Sequence, residues 1–334
     1  MKIVLGFVSL AFAMLGAGNA GAASLEQEVK GPDGWLGYRV PMISGAGQPC
    51  CYEWHGDRPA RAGCNLDGRN WNFGTSDAAP ALQQSDQLAV YLHVAHGAVD
   101  KVRAVSAACP VHTERDIRWL EMVTPGQSIA MLEPLVAAGD RHDDAREPAL
   151  AALAYHDERG ATEALARLAQ PDRERALREQ ALFWLGQARG APGADIVEHW
   201  ATTDAEPELR AHAVFALSQS KGGDPYLKIK AISESDRSEH VRSQALFWMA
   251  QMKDHRAEAD ITARVRSERS REVQEQAVFA LSQLGDRADE ALIGIIQGDY
   301  PRDAKEKALF WLGQSGSQKA IDYFDRVLAA DTKR

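Results

Sequence analysis

The chain has 334 residues, with 38 Lys and Arg against 47 Asp and Glu and a formal net charge of −9. Neither half carries the basic excess that attracts nucleic acid or anionic lipid, so these partners are disfavoured. The length exceeds what one compact core usually takes up, which predicts a chain of two parts.

The first residues have the parts of a secretory signal peptide. Met1-Lys2 precedes an apolar run over 3–15, and small residues follow at 16–23, including an Ala20-Gly21-Ala22 cleavage pattern. The apolar run is shorter than the about 20 residues that span a bilayer. We therefore expect residues 1–22 to be removed on export, and the mature protein to be periplasmic or secreted, without direct insertion into a membrane.

Residues 23–140 form a predicted small α+β head. Apolar residues alternate over 88–95, and a second run over 101–107 follows a turn, so the two runs predict a β-hairpin. Residues 35–43 and 117–122 are further strand candidates.

A helix is predicted to end the head. The segment Thr124-Pro-Gly-Gln127 has the spacing of a capping box, with proline at the first helical position, and an apolar stretch over 129–138 follows it. We expect this helix to pack on the first unit of the body.

All four cysteines lie in the head, at Cys50, Cys51, Cys64 and Cys109. In an exported protein an even number of cysteines suggests disulfides, and adjacent cysteines seldom pair with each other. Cys50 and Cys51 are therefore each predicted to bond to one of the other two. The sequence leaves open which cysteine pairs with which.

Two chemical alternatives for the cysteines were weighed and ranked lower. One is a metal site that adds His55, or His93 and His96, to the thiols, although adjacent cysteines lack the two-residue gap of zinc knuckles. The other is a cysteine nucleophile beside His55 or His112, for which no local signature is present. We assign no catalytic, metal or cofactor-binding residues, and we expect no cofactor.

The body repeats one eleven-residue motif. The sequence Leu-Arg-Glu-Gln-Ala-Leu-Phe-Trp-Leu-Gly-Gln at 177–187 returns in related form at 209–219, 241–251, 273–283 and 304–314. The central alanine at motif position 5 recurs with spacings of 32, 32, 32 and 31 residues, and one step back lies a degenerate copy around Ala149. Apolar residues within each copy have a helical period, and a second short apolar-periodic stretch follows each motif, so each copy predicts a helix pair.

This motif resembles the HEAT repeat, in the short form also seen in bilin-lyase-like proteins, over residues 145–334. Arg178, Arg210 and Arg242 match the arginine of the family at motif position 2, whereas Gln274 and Lys305 depart from it. The resemblance implies a mainly α fold: a right-handed α-solenoid of about six helix pairs that binds partners along its concave surface. It does not imply bilin chemistry, because fold does not fix function.

Two sets of motif residues are candidate partner contacts. Position 3 is expected to face the concave surface and holds Glu179, Ala211, Ser243, Glu275 and Glu306. Position 7 is always phenylalanine, at Phe183, Phe215, Phe247, Phe279 and Phe310, with a glutamine four residues later. This stripe is either a binding floor or packing between neighbouring repeats, where the glutamines would bond to each other. Packing is the favoured alternative.

Position 8 alternates between tryptophan and alanine: Trp184, Ala216, Trp248, Ala280, Trp311. We expect each tryptophan to be buried in the space that the alanine of the next copy leaves.

The function expected from these features is that of a non-enzymatic exported scaffold, with a protein or peptide bound along the solenoid. The rival hypothesis is a metal-binding or thiol-dependent enzyme with its site in the head and the solenoid as substrate holder.

Overall fold

The computed structural model describes residues 24–45, 47–55, 58–68, 73–74, 83–138 and 144–331. The predicted signal peptide lies outside these residues, and so does the boundary between the predicted head and body. None of the described helices is long and apolar enough to cross a membrane. The described chain is mainly α, as predicted, with a small β-containing head followed by a row of paired helices.

The strands in the described part of the head range from two to nine residues in length. They are β1 Gly34–Pro41, β2 Cys50–His55, β3 Arg58–Ala62, β4 Cys64–Asn65, β5 Phe73–Gly74, β6 Gln87–Ala95, β7 Ala98–Ser106, β8 Val111–His112 and β9 Ile117–Trp119. A four-stranded sheet has the order β7-β6-β1-β9, in which β9 runs parallel to β1 and the other neighbours are antiparallel. The predicted hairpin is β6–β7, and both further strand candidates are present.

This four-stranded sheet has two apolar faces. Leu36, Tyr38 and Val40 of β1 lie in a core that continues into the helix pairs. Trp35, which points to the other face of the pleat, lies in a second core together with the cysteines. The head therefore shares its larger core with the body.

Six helix pairs follow the head helices α1 Leu25–Val29 and α2 Pro125–Ala138. They are α3 Arg146–Tyr155 with α4 Arg159–Leu168, α5 Arg175–Ala188 with α6 Gly190–Thr203, α7 Pro207–Ser218 with α8 Pro225–Ser235, α9 Glu239–Gln251 with α10 Ala257–Ser267, α11 Arg271–Ser282 with α12 Ala288–Gln297, and α13 Arg302–Ser315 with α14 Gln318–Asp331. The first helix of each pair carries the repeated sequence and is called the motif helix.

Helix α2 closes the start of the row. The backbone N–H of Gln127 donates to Thr124 Oγ1 at 3.2 Å, and the backbone N–H of Thr124 donates to Gln127 Oε1 at 2.9 Å, which is the predicted capping box. Leu132 and Val136 are fully buried, and α2 packs against α3 and α4. The head helix thus covers the face of the first pair that no other repeat covers.

A buried polar chain joins the head to the first pair. Tyr38 Oη lies 2.8 Å from Ser128 Oγ, which lies 2.8 Å from His156 Nε2, and His156 Nδ1 lies 2.6 Å from the carbonyl oxygen of Ala152. A neutral imidazole that donates from Nδ1 and accepts at Nε2 satisfies each of these groups. Burial lowers the pKa of His156 to about 4, and the positive charge of Arg189 acts in the same direction.

Arginines at motif position 2 join consecutive pairs. Each pairs with the acid that ends the second helix of its own pair: Arg178 with Asp204, Arg210 with Asp236 and Arg242 with Glu268. Each also donates to a main-chain carbonyl at the end of the preceding second helix, as Arg210 Nη1 does to Asp204 O at 2.9 Å. These side chains are almost completely buried, except that Arg242 is 14% exposed.

Gln274 takes the place of arginine in the fifth pair. Its amide donates to Glu268 O at 2.7 Å, so it keeps the bond to the main chain and lacks the ion pair. In the first pair the corresponding residue is the buried Arg146, which lies 3.5 Å from Glu174.

The stability of the junction should depend on pH through His156. The unfolded imidazole has an ordinary pKa near 6.5, above that of the folded state, so between these values the unfolded chain binds more protons and stability falls as pH falls. We expect His156 to account for a loss of about 2 kcal/mol in the free energy of unfolding between pH 7 and pH 5. Urea denaturation at both pH values measures it. His156→Gln should have a flatter pH dependence, and equal slopes for both proteins would contradict the assignment.

Removing one partner of a buried ion pair should destabilise the row. Arg210→Gln copies the fifth pair but leaves Asp236 buried without its counter-charge, so it should lower the free energy of unfolding by about 3–5 kcal/mol. Arg210→Gln/Asp236→Asn removes both charges and should regain part of that loss. Urea denaturation of the full chain tests this, and a double variant no more stable than Arg210→Gln would show the charge to be unimportant.

Candidate functional site

The motif helices expose one side. Positions 5 and 9, such as Ala181 and Leu185, are fully buried. Positions 7 and 8, such as Phe183 and Trp184, are partly exposed because they lie away from the second helix of the pair. Aromatic side chains therefore recur on the exposed side of successive motif helices.

These rings form a continuous row, called here the aromatic ladder. Neighbouring centroids are 4.8–6.3 Å apart at every step. The rings in order of contact are Tyr155, Trp184, Phe183, Phe215, Trp248, Phe247, Phe279, Trp311 and Phe310. The ladder thus runs from the first motif helix to the last.

The steps of the ladder alternate with a period of two pairs. Phe183 stacks on Phe215 with 16° between the ring planes. Phe215 then meets Trp248 of the next helix at 4.8 Å and a tilt of 41°. The same two steps recur from Phe247 to Trp311. The period follows the tryptophan–alanine alternation of the sequence.

The expected burial of the tryptophans is wrong. Trp184, Trp248 and Trp311 are only partly buried, whereas Ala216 and Ala280 are fully buried. The physical reason is that Trp248 and Trp311 reach across to the phenylalanine of the preceding motif helix, on the exposed side of the row. The tryptophans are therefore ladder residues that the sequence analysis missed, although the helical period places position 8 next to position 7.

The two alternatives for the phenylalanines both describe part of the geometry. Phe183, Phe215, Phe247 and Phe279 pack on neighbouring rings and stay partly exposed, and Phe310 at the end is 55% exposed. The glutamines do not bond to each other within the described residues. Gln219 and Gln283 donate instead to the adjacent Ser218 and Ser282.

Position 3 borders the ladder one turn before each phenylalanine. Glu179, Ser243 and Glu275 are partly exposed, Glu306 is exposed, and Ala211 is buried. Glu275 lies 2.9 Å from Arg271 and 3.1 Å from Lys307, which lower the pKa of its carboxyl group.

Further carboxylates lie one turn earlier still. Glu208, Glu239 and Glu272 are exposed and form no ion pair in the part of the chain that the structure describes. Acids in a first turn suit the positive end of the helix dipole. Exposed arginines, among them Arg271 and Arg302, lie on the same turn of the motif helices.

The ladder lies on the inner side of the row. Neighbouring motif helices pack closely on each other, whereas neighbouring second helices touch little. In a curved stack the closely spaced layer is on the inside. Gly186 allows the close spacing, because a Cβ there would come within 2.2 Å of the carbonyl oxygen of Ala216.

The cysteines form the predicted disulfides, Cys50–Cys109 and Cys51–Cys64. Adjacent residues of a strand point to opposite faces, so Cys50 and Cys51 reach different partners. Cys64 Sγ and Cys109 Sγ are only 3.7 Å apart, and every cysteine of the chain is bonded. Oxidised cysteines offer neither a thiolate nucleophile nor a thiolate metal ligand.

The candidate histidines of the head have other surroundings. His93 Nδ1 lies 2.6 Å from Asp100 Oδ1, and His93 Nε2 lies 3.1 Å from Arg115 Nη1. His96 and His112 are exposed, and the side chain of His55 lies outside the described residues.

Comparison with known proteins agrees with the geometry. A family model described as PBS lyase HEAT-like repeat matches residues 273–297. The repeats of this chain are HEAT-like. No curated protein sequence matches the chain.

Three solved structures to which this chain is similar are distant from it in sequence. Human deoxyhypusine hydroxylase in complex with glycerol is 18% identical, with 57% of this chain and 74% of that one covered and a TM-score of 0.31. The karyopherin Kap121p is 16% identical over 61% of this chain and 27% of its own, with a TM-score of 0.38. The Escherichia coli protein YIBA is 21% identical over 48% and 60%, with a TM-score of 0.33. Kap121p has been solved bound to Pho4p, to the C-terminus of Cdc14p and to RanGTP.

Two glycines at the same motif position should respond oppositely to alanine. Gly186→Ala forces α5 away from α7 and should lower the free energy of unfolding by about 1–3 kcal/mol. Gly313, on the last motif helix, has only the tip of Phe324 at 4.0 Å, so Gly313→Ala should raise stability by about 0.5–1 kcal/mol. Thermal unfolding compares them. Equal changes in stability for the two substitutions would contradict the close approach of α5 and α7 at Gly186.

Proposed function

We propose that the chain is a non-enzymatic exported scaffold that binds an extended segment of a protein or peptide partner along the aromatic ladder. The observation that carries the proposal is the unbroken row of rings on the inner side of the solenoid, of which all but the buried Tyr155 are at least partly exposed. Large aromatic side chains dominate the energy of interfaces, because they bury much area with few rotatable bonds.

The polar groups beside the ladder suit a polypeptide backbone. Gln187 and Gln219 are partly exposed, and Gln251, Gln283 and Gln314 are exposed. A primary amide both donates and accepts hydrogen bonds, so it can pair with the N–H and C=O groups of an extended chain that has no internal partners. From the second pair onward, each pair therefore offers rings that give contact area and an amide that can fix the register of the bound chain.

The spacing of the ladder also favours an extended occupant. Packed helices are about 8–10 Å apart, which is the length of about three residues of extended polypeptide. An extended partner segment in the polyproline II conformation, which has three residues per turn, could thus present one side chain to every repeat. An export role is supported by the two disulfides, which persist in oxidising compartments.

Site-specific crosslinking in cells tests this proposal. A photoreactive residue at Ser243 or Gln251, both beside the ladder, should give a discrete adduct with a partner. The matched control is Leu227, which is 50% exposed on the second helix α8. The adduct should be lost in Phe215→Ala/Phe247→Ala, whose folding is checked by circular dichroism. No adduct from the ladder, or the same adduct from Leu227, would overturn the proposal.

A further inference from the structure

A cavity of 270 Å³ lies between the last two helix pairs. The ends of α11 and α13 contribute Ser282, Gln283, Gln314 and Ser315, Trp311 provides an aromatic wall, and the start of α12 contributes Asp289. The volume is below the about 300–1,000 Å³ of pockets that hold drug-sized ligands. It is sized for one side chain or a small amine.

Asp289 is the unusual group of this cavity. The residue is only 1% exposed. One carboxylate oxygen, Oδ2, accepts a hydrogen bond from Ser317 Oγ, and the other, Oδ1, has no hydrogen-bond partner among the described residues. An ionised carboxylate without a counter-charge is costly to bury. None of the described residues that line the cavity is basic, so the counter-charge that Asp289 meets there is the partial positive charge at the start of α12, in whose first turn it lies.

The other residues that line the cavity are suited to binding an organic cation. Trp311 lines the cavity, and an aromatic ring attracts a desolvated cation over its face. The amide oxygens of Gln283 and Gln314 and the hydroxyl of Ser315 are further acceptors. A single carboxylate oxygen without a partner suits the point charge of an ammonium group better than the paired N–H groups of a guanidinium, and because this oxygen is buried, the lining side chains must shift for a cation to contact it.

We propose that this cavity binds the ammonium group of a lysine side chain of the partner. The inference rests on the proposed function, because Trp311 is a ladder residue and Ser282, Gln283 and Gln314 hold motif positions 10 and 11 beside the ladder. A polypeptide along the ladder therefore passes the mouth of the cavity.

Two pairs of small probes test the site on the full chain. Pentylammonium is compared with 1-pentanol, and N-acetyl-lysine methylamide with its norleucine analogue. The indole N–H signal of Trp311, assigned with Trp311→Phe, is followed by NMR. We expect both ammonium probes to shift it in a saturable way and both neutral probes to bind at least tenfold more weakly. Equal binding of charged and neutral probes would overturn the proposal without any variant.

The substitution Asp289→Asn provides a second test. It should weaken the binding of both ammonium probes at least tenfold, while Asp322→Asn, at an exposed acid of α14, should leave binding unchanged. The lysine amide should bind more tightly than pentylammonium, because its backbone can bond to the glutamines. Binding of pentylammonium alone would refute the assignment to a polypeptide and point to a free amine.

A failure of the lysine site and a failure of the proposed scaffold would give different experimental results. Phe215→Ala/Phe247→Ala lies outside the cavity and should not change probe binding. Crosslinking at the ladder with no effect of Asp289→Asn on either probe would remove only the lysine site. If the probes bind and need Asp289 but no partner is crosslinked, the proposed function is refuted and a small-amine site remains.

Discussion

The row of helices depends on one buried interaction, the arginine at motif position 2. Arg210 neutralises Asp236 within its own pair and also holds the carbonyl of Asp204 at the end of the preceding pair. Burial alone would raise the pKa of Asp236, but hydrogen bonds from Arg210 and from the backbone of Ser238 outweigh it and hold that pKa below its usual range. A guanidinium with donors in two directions thereby fixes both the angle within a pair and the step to the next.

The aromatic ladder follows from that fixed step. Motif helices that repeat at one spacing and one rotation bring position 7 of one helix beside positions 7 and 8 of its neighbours. The rings then contact each other without being enclosed, as Phe215 does between Phe183 and Trp248. An exposed aromatic row on a rigid frame loses little conformational entropy when a partner covers it. The two hypotheses for the phenylalanines, packing between repeats and contact with a partner, therefore describe two aspects of one arrangement.

Sequence alone predicted what is periodic or locally encoded. The spacing of the motif alanines gave the helix pairs, the alternation over 88–95 gave the hairpin, and Thr124 with Gln127 gave the start of α2. The exposure of Trp248 depends on how neighbouring helices pack against each other. A helical wheel describes one helix and carries no information on that packing. The pairing of Cys50 with Cys109 depends on strand positions far apart in sequence. Tyr155 was missed because its copy of the motif is degenerate, and it stands where the other copies have glutamine.

The lysine site lies where the periodic arrangement lapses. Gln274 has replaced the arginine of the fifth pair, and the step from Ala277 to Ala308 is 31 residues instead of 32. This spacing is one residue shorter than the others, and Gln274 forms no ion pair of the kind that Arg210 forms. The interaction that holds the other pairs in the same geometry is therefore weaker here. Asp289 has a buried carboxylate oxygen without a hydrogen-bond partner in a row that otherwise pairs its buried acids, and such an oxygen is destabilising unless something binds it. Positions at which a repeat protein departs from its regular pattern are where function is expected. In this sequence the 31-residue spacing marks the position of the cavity between the last two helix pairs.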